Sequence, residues 1–351
     1  MVNNKIRIGL IGAGENTKLM HIPGFQKLNN VEIISVSNRS IKSSTIISET
    51  FNIPVVHKNW KDLIEDPNID AVCIGTWPYM HHTLAIESLK NNKHVLTEAR
   101  MAMNFKQANN MLDFSKTKPH LITQIVPAPI TFKVDKTIKK ILQENKLGDI
   151  LAVDISTHND TSKNGGFINP ESIYHWRENK DLSGYNIMQM GIWYETLMRW
   201  IGTARSVISL TKVNVKKRYD ENNHLQYISI PDHVEILAEL NIGAIAHMRF
   251  SSVTGLAPDD KVWIFGSHGT LMLDINKLEV YLGTKDNTNL SKINIPKEDE
   301  GQWRVEEEFI NAIMGIEEIT HTSFQDGVKY MEFTEAVTKS MQLGKKINLQ
   351  F

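Results

Sequence analysis

Residues Ile6–Phe25 read IRIGLIGAGENTKLMHIPGF, a short apolar run that breaks at Gly12 and Gly14 and passes into a segment of helical spacing. Ile6, Ile8, Leu10 and Ile11 bounded by glycines predict a strand buried on both faces, as in a parallel sheet covered by helices. The turn that follows resembles a dinucleotide site. Gly12 allows a tight turn, Gly14 lets backbone N–H groups approach a pyrophosphate, and the next helix presents its positive end to that charge. Thr17 stands where the third glycine of G-x-G-x-x-G would be, so helix and strand are expected to lie further apart. Asn16 or Thr17 is the candidate helix cap. The competing reading is an ordinary strand-to-helix turn without a ligand.

Outward from this turn, apolar strand patterns alternate with helical ones as far as Val126. Strands are predicted at 6–11, 31–36, 71–74, 94–97 and 121–126, the order of a doubly wound α/β sheet. Pro127 and Pro129 then punctuate the chain, and the later pattern changes to long strands with few crossovers. The expected organisation is a nucleotide-binding domain over residues 1–126 and a substrate and oligomerisation domain over 127–351. The second is an α+β domain with a large, mostly antiparallel open sheet and helices on one face. A free sheet face suits a homodimer or homotetramer interface, although it also suits solvent.

The 351 residues, 41% hydrophobic and 23% charged with formal net charge -1, allow two cored domains and exclude a nucleic-acid or anionic-membrane footprint. Lys216-Lys217-Arg218 reads as a solvated strand end. The single cysteine, Cys73, lies in an apolar run and reads as a core residue. With no apolar leader and no long apolar span, the expected setting is reducing and cytoplasmic. The histidines show no zinc-type spacing, so no metal is expected.

In a doubly wound sheet the ligand lies beyond the carboxyl ends of the strands. After the second strand comes Ser37-Asn38-Arg39-Ser40, about 20 residues past the glycines, where an acid would bind the ribose hydroxyls of NAD. Asn38 is neutral, and Arg39 with Ser40 supplies a planar cation and a hydroxyl suited to a 2′-phosphate, so NADP is expected in preference to NAD. A merely solvated Arg39 is the alternative.

The next edge, CIGTWPYMHHTLAIESLKNNKHVLTEARMAMN from Cys73 to Asn104, has the spacing of Thr76, His81, Lys93-His94-Val95-Leu96 and Glu98. It resembles the glucose-fructose oxidoreductase/inositol dehydrogenase (Gfo/Idh/MocA) family of sugar and cyclitol oxidoreductases. The counterpart in the second half is SGYNIMQMGIWYETLMRWIG, Ser183 to Gly202. The resemblance implies a Rossmann domain followed by an α/β domain with an open sheet. It also implies that Thr76, Trp77, His81 and Glu98 border the cofactor.

Three positions depart from that family. Its Glu-Lys-Pro motif is Glu98-Ala99-Arg100 here, which removes the catalytic lysine; Arg100 would supply positive charge but no base. A pairing of Arg100 with Glu98 is the alternative. The family's Asp and His are Gln189 and Trp193, neither of which exchanges a proton near neutral pH. Gln189 is a candidate to bind a substrate hydroxyl, and Trp193 to pack on a sugar ring, although Met190, Trp193, Leu197 and Trp200 also read as a helix core stripe. The remaining candidates for proton transfer lie nearby: Tyr174, His175, Tyr185 and Tyr194, with His175 able to act as acid or base, and with Arg177 and Tyr185 as substrate contacts. The leading expectation is an NAD(P)-dependent oxidoreductase acting on a small polyhydroxylated substrate. A cofactor-bound sensor or scaffold without turnover is the alternative, and redox-assisted elimination or glycoside cleavage a third.

Overall fold

A computed structural model describes residues 5–158 and 167–350, without the Met188 side chain. The chain divides into two compact units, the first formed by Met1–Pro127 with Arg304–Met331, the second by Ala128–Trp303 with Glu332–Phe351. The first boundary falls beside Pro127, but the second unit is not the continuous segment 127–351 expected from sequence. Residues 304–331 return to the first unit, and its helix Val305–Ile313 presses Phe309 and Ile310 into the core.

The first unit holds strands β1 (Ile6–Ile11), β2 (Val31–Ser37), β3 (Val55–Val56), β4 (Ala71–Ile74), β5 (His94–Thr97) and β6 (Thr123–Ile125). They form one sheet in the order β3-β2-β1-β4-β5-β6, and every pairing is parallel. Burial on both faces explains why β4, Ala71-Val72-Cys73-Ile74, contains no polar residue and is buried throughout. Strand order reverses between β1 and β4, which places the Gly12 turn and Thr76 at the crevice where such sheets take ligands. Helical segments 17–26, 41–51, 60–65, 78–90 and 105–116 supply the five crossovers.

The second unit holds β7 (Ile150–His158), β8 (Ala204–Lys212), β9 (Lys217–Tyr219), β10 (Leu225–Tyr227), β11 (His233–Leu240), β12 (Ile245–Ser251), β13 (Lys261–Gly266), β14 (Gly269–Asp274), β15 (Glu279–Thr284), β16 (Ser291–Lys292) and β17 (Ile347–Asn348). Nine of them form one sheet, β16-β15-β14-β13-β7-β12-β11-β8-β17, with β9 and β10 as a separate hairpin. Only β7 and β12 pair in parallel within the large sheet. Period-two alternation sets its register: Val234, Ile236, Ala238 and Leu240 of β11 are buried, while His233, Glu235, Leu237 and Glu239 take the other face. Across from them Phe250 and Met248 of β12 pair with Val234 and Ile236. The outer face leaves Ile208, Leu210, Leu237 and Ile245 exposed. In the first unit the strand missing from the sequence reading is β3, two residues long and too short to show a period.

Candidate active site

The nucleotide edge of the first unit starts at Gly12, whose φ of +83° is the left-handed conformation that glycine adopts without strain. A Cβ there would also lie 2.9 Å from the Thr76 backbone nitrogen. Gly14 is different: a Cβ on it would meet only Gly75 O, at 3.4 Å, an ordinary contact. Nothing in the chain itself demands glycine at 14, and what its missing side chain leaves open is approach from outside, the cradle that a pyrophosphate needs.

Thr17 at the third-glycine position does not cap a helix; its hydroxyl donates to Gly12 O at 3.2 Å and the residue is buried. Its bulk is accommodated on the opposing strand end, because a Cβ on Gly75 would lie 2.1 Å from Thr17 Oγ1. The helical segment opens as a π turn over Thr17–His21 before the α turn Ile22–Gln26, a widening often found at functional sites. Asn16 makes no cap either. Its Nδ2 donates to Glu98 Oε1 at 2.5 Å.

Beyond β2, Asn38 turns its carboxamide inward: Oδ1 accepts from Ala13 N at 2.7 Å and Nδ2 donates to Ser43 Oγ at 3.0 Å. Asn38 thus ties the glycine turn to the second loop. Ser40 caps the helix Ile41–Phe51 by accepting from Ser43 N. Arg39 is exposed, with its guanidinium 5.5 Å from the Trp77 ring centroid. After β4, Trp77 starts the helix Pro78–Lys90. His81 in that helix is fully buried, its ring nitrogens 2.8 Å from the carbonyl oxygens of Thr76 and Arg100. Burial holds its pKa below the ordinary histidine value despite those carbonyls.

Glu98 is bonded to Asn16 and His21. Its carboxylate accepts from Asn16 and lies 2.9 Å from His21 Nε2, while His21 Nδ1 lies 2.5 Å from Glu306 Oε1. Burial alone would raise the Glu98 pKa, but the bonds from His21 and Asn16 outweigh it and hold Glu98 below the ordinary carboxylate range. Burial likewise disfavours charge on His21, yet Glu306 and Glu98 overcome it and push its pKa up to about 9. His21 and Glu306 complete this cluster, and the sequence reading did not pick them out. Arg100 is buried with its guanidinium 5.4 Å from the Tyr330 ring centroid, and Tyr330 Oη accepts from Met101 N. Arg100, expected as a charge facing the substrate, is 7% exposed in this structure.

The helix Met188–Trp200 of the second unit is anchored from below by charge. Glu195 Oε1 accepts from Ala128 N at 2.9 Å and from Arg199 Nη1 at 3.2 Å; Arg199 Nη2 lies 3.2 Å from Asp135, which also accepts from Trp200 Nε1 at 2.7 Å. Trp193 and Tyr194 are 1% and 0% exposed. Tyr194 stacks on Phe333 with centroids 3.6 Å apart, and its hydroxyl accepts from Ala204 N. Burial drives its pKa far above the ordinary tyrosine value. Both assignments are therefore corrected: Trp193 offers no free ring face to a sugar, and Tyr194 neither reaches substrate nor releases a proton near neutrality.

A cavity of about 460 Å³ in this unit brings together His175, Arg177, Asn186, Gln189, Arg218 and Asp232. Tyr185 is half-buried and does not line it. Asp232 is occupied in pinning the Asn214-Val215 backbone, and Arg218 is bound to Glu178 and to Asn169 O. His175 Nδ1 accepts from Arg177 N at 3.2 Å, so in the neutral ring the proton sits on Nε2. Burial and the neighbouring Arg177 lower its pKa and favour that neutral form. His175 is accordingly a hydrogen-bond donor through Nε2. Of the two proton-transfer roles open to it from sequence, acid or base, the base would need the opposite tautomer.

A doubly wound sheet with a glycine turn at its switch point is a Rossmann-type first unit, and a large open sheet makes up the second. Residues 6–124 match the oxidoreductase family with NAD-binding Rossmann fold, and residues 136–272 match the GFO/IDH/MocA C-terminal domain. The chain belongs to the Gfo/Idh/MocA oxidoreductase family. It is 22% identical to the uncharacterized oxidoreductase YrbE of Bacillus subtilis, over 99% of this chain and 98% of that protein. Among solved structures, levoglucosan dehydrogenase in complex with NADH and L-sorbose superposes with a TM-score of 0.84 at 17% identity, covering 99% of each chain. The WlbA dehydrogenase of Bordetella pertussis, in complex with NADH and UDP-GlcNAcA, gives 0.77 at 18% identity, again over 99% of each. No described helix is long and apolar enough to cross a membrane.

Proposed function

We propose that this chain is an NAD(P)-dependent oxidoreductase that interconverts a secondary hydroxyl and a ketone on a sugar, cyclitol or related polyol, with NADP preferred. The observation that carries the cofactor is the uncrowded Gly14 at the switch point between β1 and β4. Gly12, Gly14 and the Asn38-tied turn would hold the pyrophosphate, and Trp77 with Glu98 would border the remainder. When bound, the nicotinamide supplies the hydride acceptor or donor. NADP is supported by the acid-free loop Ser37-Asn38-Arg39-Ser40, in which Arg39 stays exposed for a 2′-phosphate.

The substrate would occupy the second-unit cavity, whose size suits a single sugar ring. Asn186 and Gln189 would bond its hydroxyls, His175 Nε2–H would donate to one oxygen, and Arg177 would hold an anionic substituent where one is present. With Ala99, Gln189 and Trp193 at the family's proton-handling positions, this chain orients the reacting carbinol without a dedicated charged pair, and solvent takes the proton. Levoglucosan dehydrogenase and the WlbA complex, with sugar ligands, support the substrate class. The exposed apolar residues of the outer sheet face support assembly as a homodimer or homotetramer.

Nicotinamide absorbance, followed with a panel of sugars, uronates and cyclitols in both directions, tests this reading. Cofactor reduction by at least one polyol is expected. Tight cofactor binding without turnover on the whole panel would contradict it and favour the sensor or scaffold reading.

A further inference from the structure

The first unit carries a buried titratable cluster that binding a dinucleotide does not by itself require. His21 is 0% exposed, with Nδ1 on Glu306 Oε1 and Nε2 on Glu98 Oε1. Glu98 Oε1 also accepts from Asn16, two residues past Gly14 in the nucleotide turn. One unbroken chain of hydrogen bonds therefore runs from Glu306, in the helix Val305–Ile313, through His21 and Glu98 to that turn. Gly24 makes room for it, since a Cβ there would lie 2.6 Å from the Glu306 carboxylate.

We infer that His21 is a positioning residue for the dinucleotide, its two ring N–H groups holding Glu98, and through Glu98 holding Asn16, in the geometry the glycine turn uses. The inference rests on the cofactor reading above. A neutral imidazole has a single N–H, so on deprotonation one of the two carboxylates must face a lone pair and the chain breaks at that link. The link to Glu98 is the more exposed of the two, with 16% side-chain exposure against 4% for Glu306. The other titratable groups that sense these carboxylates are Cys73 and His81. Burial pushes the Cys73 thiol well up and the His81 imidazole down, and the His81 ring nitrogens lie on the Thr76 and Arg100 carbonyls. His21 itself, pushed up to about 9, keeps the chain intact at neutral pH and loses it on alkalinisation.

Calorimetric titration of NAD and NADP into the full-length protein, from about pH 7 to about pH 10, reads this directly. Affinity is expected to hold to about pH 8 and then fall by about tenfold across a midpoint near the His21 pKa, the scale of one lost charge-assisted bond. Glu306→Gln keeps an acceptor but removes a charge, so its midpoint moves to lower pH; His21→Gln flattens the profile. Gly24→Ala, which crowds Glu306 away from the ring, gives a second variant whose midpoint also moves down. A purely structural His21 would change the melting temperature and leave the binding profile in place. Binding that is flat with pH in the unaltered protein, or a midpoint unmoved in both Glu306→Gln and Gly24→Ala, overturns the inference alone. Absence of any dinucleotide binding at every pH overturns the oxidoreductase reading, and this inference with it.

Discussion

Each unit buries one cation between two carboxylates, and the two clusters serve different ends. In the first unit His21 sits between Glu98 and Glu306, and the chain of bonds ends on Asn16 in the nucleotide turn. In the second, Arg199 sits between Glu195 and Asp135, and the bonds end on Trp200 Nε1 and Ala128 N, both parts of the scaffold. One cation titrates within reach of physiological pH; the other never releases its proton. The lesson concerns where this chain keeps its charge. At the nucleotide edge charge is retained and can change, whereas in the second unit it underpins the helix Met188–Trp200, and the cavity beside that helix presents Gln189, Asn186 and a neutral His175.

Removing the permanent cation is the larger perturbation. Arg199→Ala leaves Glu195 and Asp135 buried without their shared cation, and a loss of about 3–5 kcal/mol is expected in denaturant unfolding. A loss below about 1 kcal/mol would mean that water or rotation relieves both carboxylates and that the cluster is no scaffold.

A smaller effect separates the clusters by pH. His21 has a folded pKa near 9 against an ordinary 6.5, so its contribution to stability is complete below the ordinary value and disappears as pH rises through the folded one. Glu98, held below its ordinary range, contributes above that range and loses its part as pH falls. Thermal stability should therefore decline between neutral and alkaline pH in the unaltered protein and stay level over the same window in His21→Gln. Parallel declines in the two proteins would assign the effect to other groups.

Much of the first unit was legible because its signals are local. Buried parallel strands read as unbroken apolar runs, and Gly12, Asn38 and Glu98 follow the strand ends that make the edge. The departure at Thr17 is visible in the sequence, but its accommodation by Gly75 depends on a contact across two strand ends that spacing does not encode. The His21–Glu306 pair lies 285 residues apart in sequence, and the return of residues 304–331 to the first unit hid it. In the second unit the period of Met190, Trp193, Leu197 and Trp200 already marked a core stripe, and their burial settles Trp193 as part of it. Tyr194 beside it drew attention as an acid or base because residue type alone does not say whether a hydroxyl points at substrate or at the backbone of Ala204. His175 was picked out as a residue near that helix, but neither the cavity it lines nor its tautomer, which follows from the 3₁₀ turn it caps, is revealed by composition or spacing.

The claim on which the rest depends is that the Gly12–Gly14 turn cradles a nicotinamide dinucleotide, and paired calorimetric titrations of the unaltered chain and Gly14→Ala at neutral pH test it most directly. One site per chain is expected, and the alanine, which meets no protein atom closer than 3.4 Å, should leave the melting temperature unchanged. It should nonetheless weaken binding by about 2 kcal/mol, roughly thirtyfold in Kd. A folded, unaltered protein that takes up neither NAD nor NADP, or equal affinity in the two proteins, would contradict the account.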